Sequence, residues 1–208
     1  MSRPQARRFG LFARRCRPAR LAAWVAAALV TSAACGDSNG LSDPILTNVV
    51  DTVTLGALVG TPVTTPSAFS VASVAPFSPG APVRSDQTSA FDFAFNIDPG
   101  GKPVFLPLSV LGLGTKTSVD PGLRATTQAF ADITRASDGS YVNQDTVPFA
   151  VGDRFIARSR IACGLLSVPQ YGKLEVLDID ETERSVTFQV LTNNNCGYKD
   201  LTPGLPAH

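Results

Sequence analysis

Residues 91–97 read Phe-Asp-Phe-Ala-Phe-Asn-Ile, and this alternation constrains the fold more than any other stretch of the chain. A period of two puts Phe91, Phe93, Phe95 and Ile97 on one side of an extended strand, with Asp92 and Asn96 pointing the other way. No segment carries the 3.6-residue apolar period of a long amphipathic helix. Instead, 17 glycines and 16 prolines punctuate 208 residues, which leaves room mainly for short strands. Segments rich in Val, Thr, Phe and Leu at 49–55, 58–65, 69–74, 104–108 and 110–113 extend the pattern. Residues 114–122 read as a polar loop, 127–134 as a strand or a single helical turn, and Asp138-Gly139 as a turn before 141–143. Residues 147–151 and 154–160 read as a strand pair around Gly152-Asp153. A final hairpin joins 171–179 to 185–191 with paired numbers summing to about 364, which buries Leu174 and Val176 against Val186, Phe188 and Val190. The expected fold is all-β: an antiparallel β-sandwich of short strands in a single domain over 45–208.

Upstream of the strands the chain changes character. Seven arginines (Arg3, Arg7, Arg8, Arg14, Arg15, Arg17 and Arg20) crowd the first twenty positions without an acid among them. An apolar run over 21–30 and the small residues Thr31, Ser32, Ala33 and Ala34 follow. A basic start, a short apolar segment and a small-residue cleavage site make 1–34 a secretory signal peptide. The apolar run is shorter than the ~20 residues a membrane span requires. Arg7-Arg8 fits twin-arginine export poorly with Phe9 and Gly10 behind it, so general secretion is expected.

Cys35, between Ala33-Ala34 and Gly36, resembles the lipobox of bacterial lipoproteins, with Ser32 standing where that pattern prefers Leu. The resemblance implies that Cys35 is lipidated and becomes the first residue of the mature chain. Residues 35–44 then serve as lipidated cysteine and flexible polar tether. Gly36 in place of Asp implies the outer membrane, if the host has two. The competing reading is an ordinary signal peptide cut near Ala34, leaving Cys35 free or disulfide-bonded.

Export changes the charge balance. The chain has 18 basic and 17 acidic residues. The leader removes seven of the basic ones, leaving 11 against 17 and a formal net charge of −6 on the mature part. A mildly acidic domain has no field for polyanions, so nucleic acid is excluded as a partner. Roughly 165 residues suit one domain with a sizeable core. Cys163 and Cys196 both fall at the open end of the last hairpin, and in an oxidising compartment they are expected to form a disulfide. A zinc site would need more ligands than this pair and His208 offer.

Ser89-Ala-Phe-Asp-Phe-Ala-Phe95, Phe130-Ala-Asp-Ile-Thr134 with Asp138-Gly-Ser-Tyr141, Phe155-Ile-Ala-Arg158 leading to Tyr171-Gly-Lys-Leu174, and Ser185-Val-Thr-Phe188 occur in an order similar to that in HmuY-like all-β envelope lipoproteins. The resemblance covers about residues 86–192. It implies a β-sandwich and haem capture at the cell surface through histidine or methionine. This chain departs from the second implication: its one histidine is His208 and its one methionine is Met1. Tyrosines Tyr141, Tyr171 and Tyr198 are the remaining ligand types, although a tyrosine in a strand more often packs. Fold and cellular address carry over, and no cofactor is expected.

Other motifs have plain readings. Asp178, Asp180 and Glu183 resemble the start of a calcium loop, but Arg184 and a strand follow too soon, which favours a hairpin turn. Gly100-Gly101-Lys102 lacks the spacing of a phosphate loop. Arg154, Arg158 and Arg160 share a strand face by period two, as an anion-binding stripe or as an exposed row paired with acids. Asn193, Asn194 and Asn195 beside Cys196 and Tyr198 are a sugar-binding grouping or a tied polar loop. Asp92, Asp132 and Asp153 are the candidates for a carboxylate-dependent polysaccharide hydrolase. Mechanisms that need a histidine have none to use away from the terminus. The expectation is therefore a non-catalytic, lipid-anchored module bound to the membrane through its N-terminal lipid, which binds an envelope protein or a small ligand. The alternatives are that hydrolase and a haem- or metal-compound-binding surface lipoprotein.

Overall fold

The computed structural model describes residues 41, 43–73, 78–164 and 166–206. The expected signal peptide over 1–34 and the expected lipidation site Cys35 lie outside the described residues. The compact unit spans Leu41–His208. Among the described residues ten strands appear in the order β1 (Val50–Gly56), β2 (Ala68–Ser70), β3 (Ala81–Val83), β4 (Phe93–Ile97), β5 (Pro103–Pro107), β6 (Gly122–Thr126), β7 (Val147–Pro148), β8 (Arg154–Cys163), β9 (Val168–Asp180) and β10 (Ser185–Asn193), with a 3-10 turn at Phe130–Asp132. They form two five-stranded sheets, β1-β10-β9-β8-β6 and β3-β2-β4-β5-β7, and every pairing is antiparallel.

The inner faces of the two sheets share one core. Val53, Leu55, Phe155, Leu174, Val176, Val186, Phe188 and Val190 come from the first sheet, and Phe69, Phe93, Phe95, Ile97 and Phe105 from the second. Phenylalanines cross the gap edge to face: Phe188 meets Phe69 at 5.6 Å and 81°, and Phe105 meets Phe155 at 5.9 Å and 86°. Phe149 stacks on Phe105 at 4.0 Å. Burial of each such ring is worth about 2–3 kcal/mol, and the edge-to-face geometry adds about 0.5–1.5 more. The first sheet also has an outer layer. Ile156, Tyr171 and Leu191 pack under Ile133, Ala136 and Leu201, held by Leu201 N–H to Thr134 O at 2.8 Å and Ala136 N–H to Lys199 O at 2.8 Å.

The last hairpin matches its expected register: Asn193 pairs with Tyr171 and Phe188 with Val176, while Ser185 pairs with Asp180. The one-residue offset arises at a bulge, where Leu177 is the extra residue between Asp178 (opposite Thr187) and Val176 (opposite Phe188). Asp180 Oδ1 accepts the N–H groups of Thr182 and Glu183, each at 2.8 Å, and so builds the turn. Gly101 takes φ +80° in the β4–β5 turn, where Asp98 Oδ1 accepts Lys102 N–H at 2.8 Å. Both motifs are hairpin turns.

Several expectations are corrected. Residues 58–65 are turns rather than a strand: Gly60 has φ +91°, and Gly56 N–H is satisfied by Pro66 O at 2.9 Å across the loop. Residues 110–113 also turn, with Gly112 at φ +75°. Residues 147–151 and 154–160 do not pair with each other. β7 joins β5 and β8 joins β6 and β9, so the turn at Gly152 passes the chain from one sheet to the other. Phe91 does not share the face of Phe93. It precedes the strand and packs with Ala68, Ala94 and Leu108 on the outer side of the second sheet.

Candidate functional site

β8 and β10 finish, and β1 and β9 begin, at one end of the sandwich. The Cys163–Cys196 disulfide closes this end, with 5.7 Å between Cα atoms. Cys163 pairs with Val168 across the β8–β9 turn, and Cys196 lies three residues beyond β10, so the bridge spans the mouth of the last hairpin as its numbering implied.

The asparagine triplet beside the bridge is buried and does the hydrogen bonding of a missing strand. Asn195 Oδ1 accepts Ile45 N–H and Leu46 N–H, both at 2.9 Å, while its Nδ2 donates to Leu46 O at 2.8 Å. Asn193 Nδ2 donates to Asp200 O at 2.7 Å, and Asn194 Nδ2 donates to Val71 O at 3.1 Å. Three short polar side chains thus fasten the N-terminal segment, the second sheet and the C-terminal tail to one point. The tied-loop reading holds, and the amides are already engaged within the protein.

Asp92 is the most deeply buried acid. Its Oδ2 accepts Val71 N–H at 2.7 Å and Ala72 N–H at 3.2 Å. Its Oδ1 accepts Arg160 N–H at 2.7 Å and Arg160 Nη1–H at 3.2 Å. Burial pushes its pKa above the ordinary 3.8, against the opposing pull of the Arg160 guanidinium and the three backbone amides. Arg160 Nη1 also donates to Ser70 Oγ at 2.9 Å. The pair is a strut between the sheets. Asp132 sits on the exposed 3-10 turn. Asp153 is exposed and accepts Ala150 N–H at 2.8 Å within its own turn. These three carboxylates share no hydrogen-bond partner, and one is buried while the other two are exposed.

The arginine row is also divided. Arg154 Nε donates to Glu175 Oε1 at 2.8 Å. Arg158 donates to Ser118 O at 2.6 Å and Asp120 O at 2.5 Å and lies 4.7 Å from the Tyr141 ring centroid. The register of β8 shifts between Arg158 and Ile161, and this irregularity sends Arg160 to Asp92 instead of continuing the row. The tyrosines are packing residues: Tyr141 Oη donates to Ser137 O at 2.9 Å, while Tyr171 and Tyr198 are buried. Sequence reasoning passed over Lys173. It is buried and donates to Phe130 O at 2.8 Å and Ile133 O at 2.9 Å, which pins the 3-10 turn to the sheet. Burial lowers its pKa, partly offset by Asp200 and Asp132.

An open groove of about 660 Å³ lies between the edge strands β6 and β7. Arg124, Asp153, Arg154 and the hydroxyls of Thr126, Thr127 and Thr146 give it polar groups of both kinds, while Val142, Val147, Pro148 and Phe155 form its apolar floor and wall; Arg124 also donates to Gly139 O at 3.2 Å and Arg154 to Glu175. Leu123 exchanges backbone bonds with Val142 at 3.0 and 2.8 Å, so its peptide groups point away from β8. Pleat alternation turns the N–H and C=O of Ala125 the same way, toward the groove. Arg124 and the β6 edge carried no sequence signal beyond a short Leu-Arg-Ala-Thr segment after a glycine. Among the described residues no group of three or more Cys, His, Asp or Glu side chains is arranged to hold a metal ion. No described helix is long and apolar enough to cross a membrane. The chain matches no family model, no curated protein and no solved structure.

Proposed function

We propose that this chain is an exported lipoprotein, acylated at Cys35 after loss of its arginine-rich leader, whose β-sandwich is a non-catalytic binding module of the cell envelope. The observation that carries this reading is the Cys163–Cys196 disulfide at the mouth of the last hairpin. Such bonds persist in secreted and periplasmic proteins and are rare in a reducing cytosol. The order of short motifs similar to HmuY-like lipoproteins supports the same address without its haem chemistry. The groove between β6 and β7 is the ligand site. Its hydroxyls, its edge-strand peptide groups and the mixed charge of Arg124, Arg154 and Asp153 suit a small polar ligand that both donates and accepts, or an extended segment of an envelope protein. The mature charge disfavours polyanions.

Metabolic labelling with palmitate tests the anchor. The wild-type chain is expected to take up label and sediment with membranes, and Cys35→Ala to do neither. Unlabelled wild-type protein that matures and fractionates like Cys35→Ala defeats the reading.

A further inference from the structure

We infer that the disulfide end of the sandwich rests on the bilayer surface, with Ile45, Val49 and Ile161 as its lipid-facing side chains. The inference rests on acylation of Cys35 as proposed above. It begins from where the chain leaves the domain. Ile45 and Leu46 are held by Asn195, and a Cβ on Gly197 would meet Leu41 at 2.5 Å, so the N-terminal segment lies against residues 195–197, next to Cys196. Five residues, 36–40, lie between Leu41 and Cys35, and the six steps of chain can span at most about 21 Å. A domain of this size has a radius of gyration of about 15 Å. The tether therefore keeps this end near the headgroups and cannot carry the opposite end there.

The two ends differ in charge and in how their apolar groups are arranged rather than in apolar exposure alone, since the far end also shows Val59 at 65%, Val63 at 72% and Val151 at 57%. At the tethered end Ile45 is 70% exposed, Val49 59%, Leu205 60% and Ile161 51%. Ile45, Thr47, Val49 and Pro79 surround one 150 Å³ pocket, and the Asn48–Gly204 bridge sets Leu205 beside Thr47. Ile45, Val49 and Leu205 are thus grouped rather than scattered, while Ile161 stands on β8 opposite Pro169 at the same end. The far end carries the β4–β5 turn, the Gly152 turn and the β9–β10 turn. There stand Asp98, Asp153, Asp178, Asp180, Glu181 and Glu183 against Lys102, Arg154 and Arg184, an excess of acids. An anionic leaflet repels that cluster and adds to the orientation the tether imposes.

The test uses the full chain, expressed and purified in its acylated form, with the acyl group on Cys35 verified by mass. The only tryptophan, Trp24, lies in the leader, so single introduced tryptophans report cleanly. Val49→Trp and Ile161→Trp probe the tethered end, and Val63→Trp, at a site 72% exposed on the far side, is the control. The proteins are reconstituted into phosphatidylcholine–phosphatidylglycerol vesicles with and without brominated acyl chains. Both tethered-end probes are expected to shift to the blue and to be quenched by brominated lipid at least about twofold more than Val63→Trp, as for side chains seated at the headgroup–acyl boundary. Ile161→Trp keeps the test decisive if Val49→Trp does not fold. Acylated protein with equal quenching at both ends overturns the orientation and leaves the anchor standing. A concentration-dependent blue shift insensitive to bromine also overturns it, because a second copy then covers the patch. An unmodified Cys35 overturns anchor and orientation together.

Discussion

Asp92 offers the sharpest test of what holds the sheets together. Both of its oxygens face N–H donors: Val71 and Ala72 on one side, and the Arg160 backbone and guanidinium on the other. Asp92→Ala strands these donors in a site where the wild-type side chain is fully buried. Loss of one partner from a buried ion pair costs about 3–5 kcal/mol. The Arg160 side chain keeps 26% exposure and recovers some hydration, so the expected loss lies near the lower bound, about 3 kcal/mol. Asp92→Asn should be almost as damaging despite its shape, because either orientation of the amide sets its NH2 against donors. Arg160→Ala should be milder, at about 1–3 kcal/mol, because three backbone amides still serve the carboxylate. Urea unfolding with the disulfide intact measures all three, and an unchanged m-value is needed for the comparison. An Asp92→Asn protein as stable as wild type would refute the reasoning, since it would mean that the site accepts a neutral hydrogen-bond donor.

Further outcomes follow from other contacts. Replacing Cys163 and Cys196 by serine opens a loop with a sequence separation of 33 and should cost at most about 4 kcal/mol by loop-closure entropy; non-reduced peptide mapping should show the two fragments linked in wild type. Burial raises the Asp120 pKa, but hydrogen bonds from Ser109 and Thr115 and from the Lys116 and Thr117 amides outweigh it and hold the group below 3.8. Its contribution is therefore complete above 3.8 and lost as pH falls through the lower folded value, so amide exchange in residues 109–120 should accelerate only on that acid side. Gly122→Ala would put a Cβ 2.7 Å from Val142 O and 3.0 Å from Tyr141 Cβ; it should cost about 1–3 kcal/mol and, by thermal melting, more than Gly139→Ala, where no atom lies within 4 Å. Lys173→Met leaves the Phe130 and Ile133 carbonyls unpaired, and hydrogen exchange should locate the loosening at residues 130–136.

The last hairpin was legible because its apolar residues alternate on both strands and its turn residues lie between them. The same alternation misled at Phe91. Period two fixes a face only once the strand has begun, and the structure starts β4 at Phe93 because Asp92 is drawn to the amides of Val71, Ala72 and Arg160. The Gly152 turn was read as a hairpin because a tight turn between two apolar segments carries no mark of which sheet each joins. Arg160 left its row through a register shift that no side-chain pattern announces. The asparagine triplet was visible as composition, but its burial was not, since each amide replaces a backbone partner from a segment roughly 7–150 residues away. The β6–β7 groove arises between edges of different sheets, and such juxtapositions have no linear signature.

Among the described residues β1 pairs with β10 alone, and Asn195 grips Ile45 and Leu46 from 150 and 149 positions away. A ribosome making this chain thus holds β1 without a mate until β10 has been made. Fragments that stop short of β10 cannot settle into a smaller version of the domain, and the polypeptide stays pliable until that strand is free to pair.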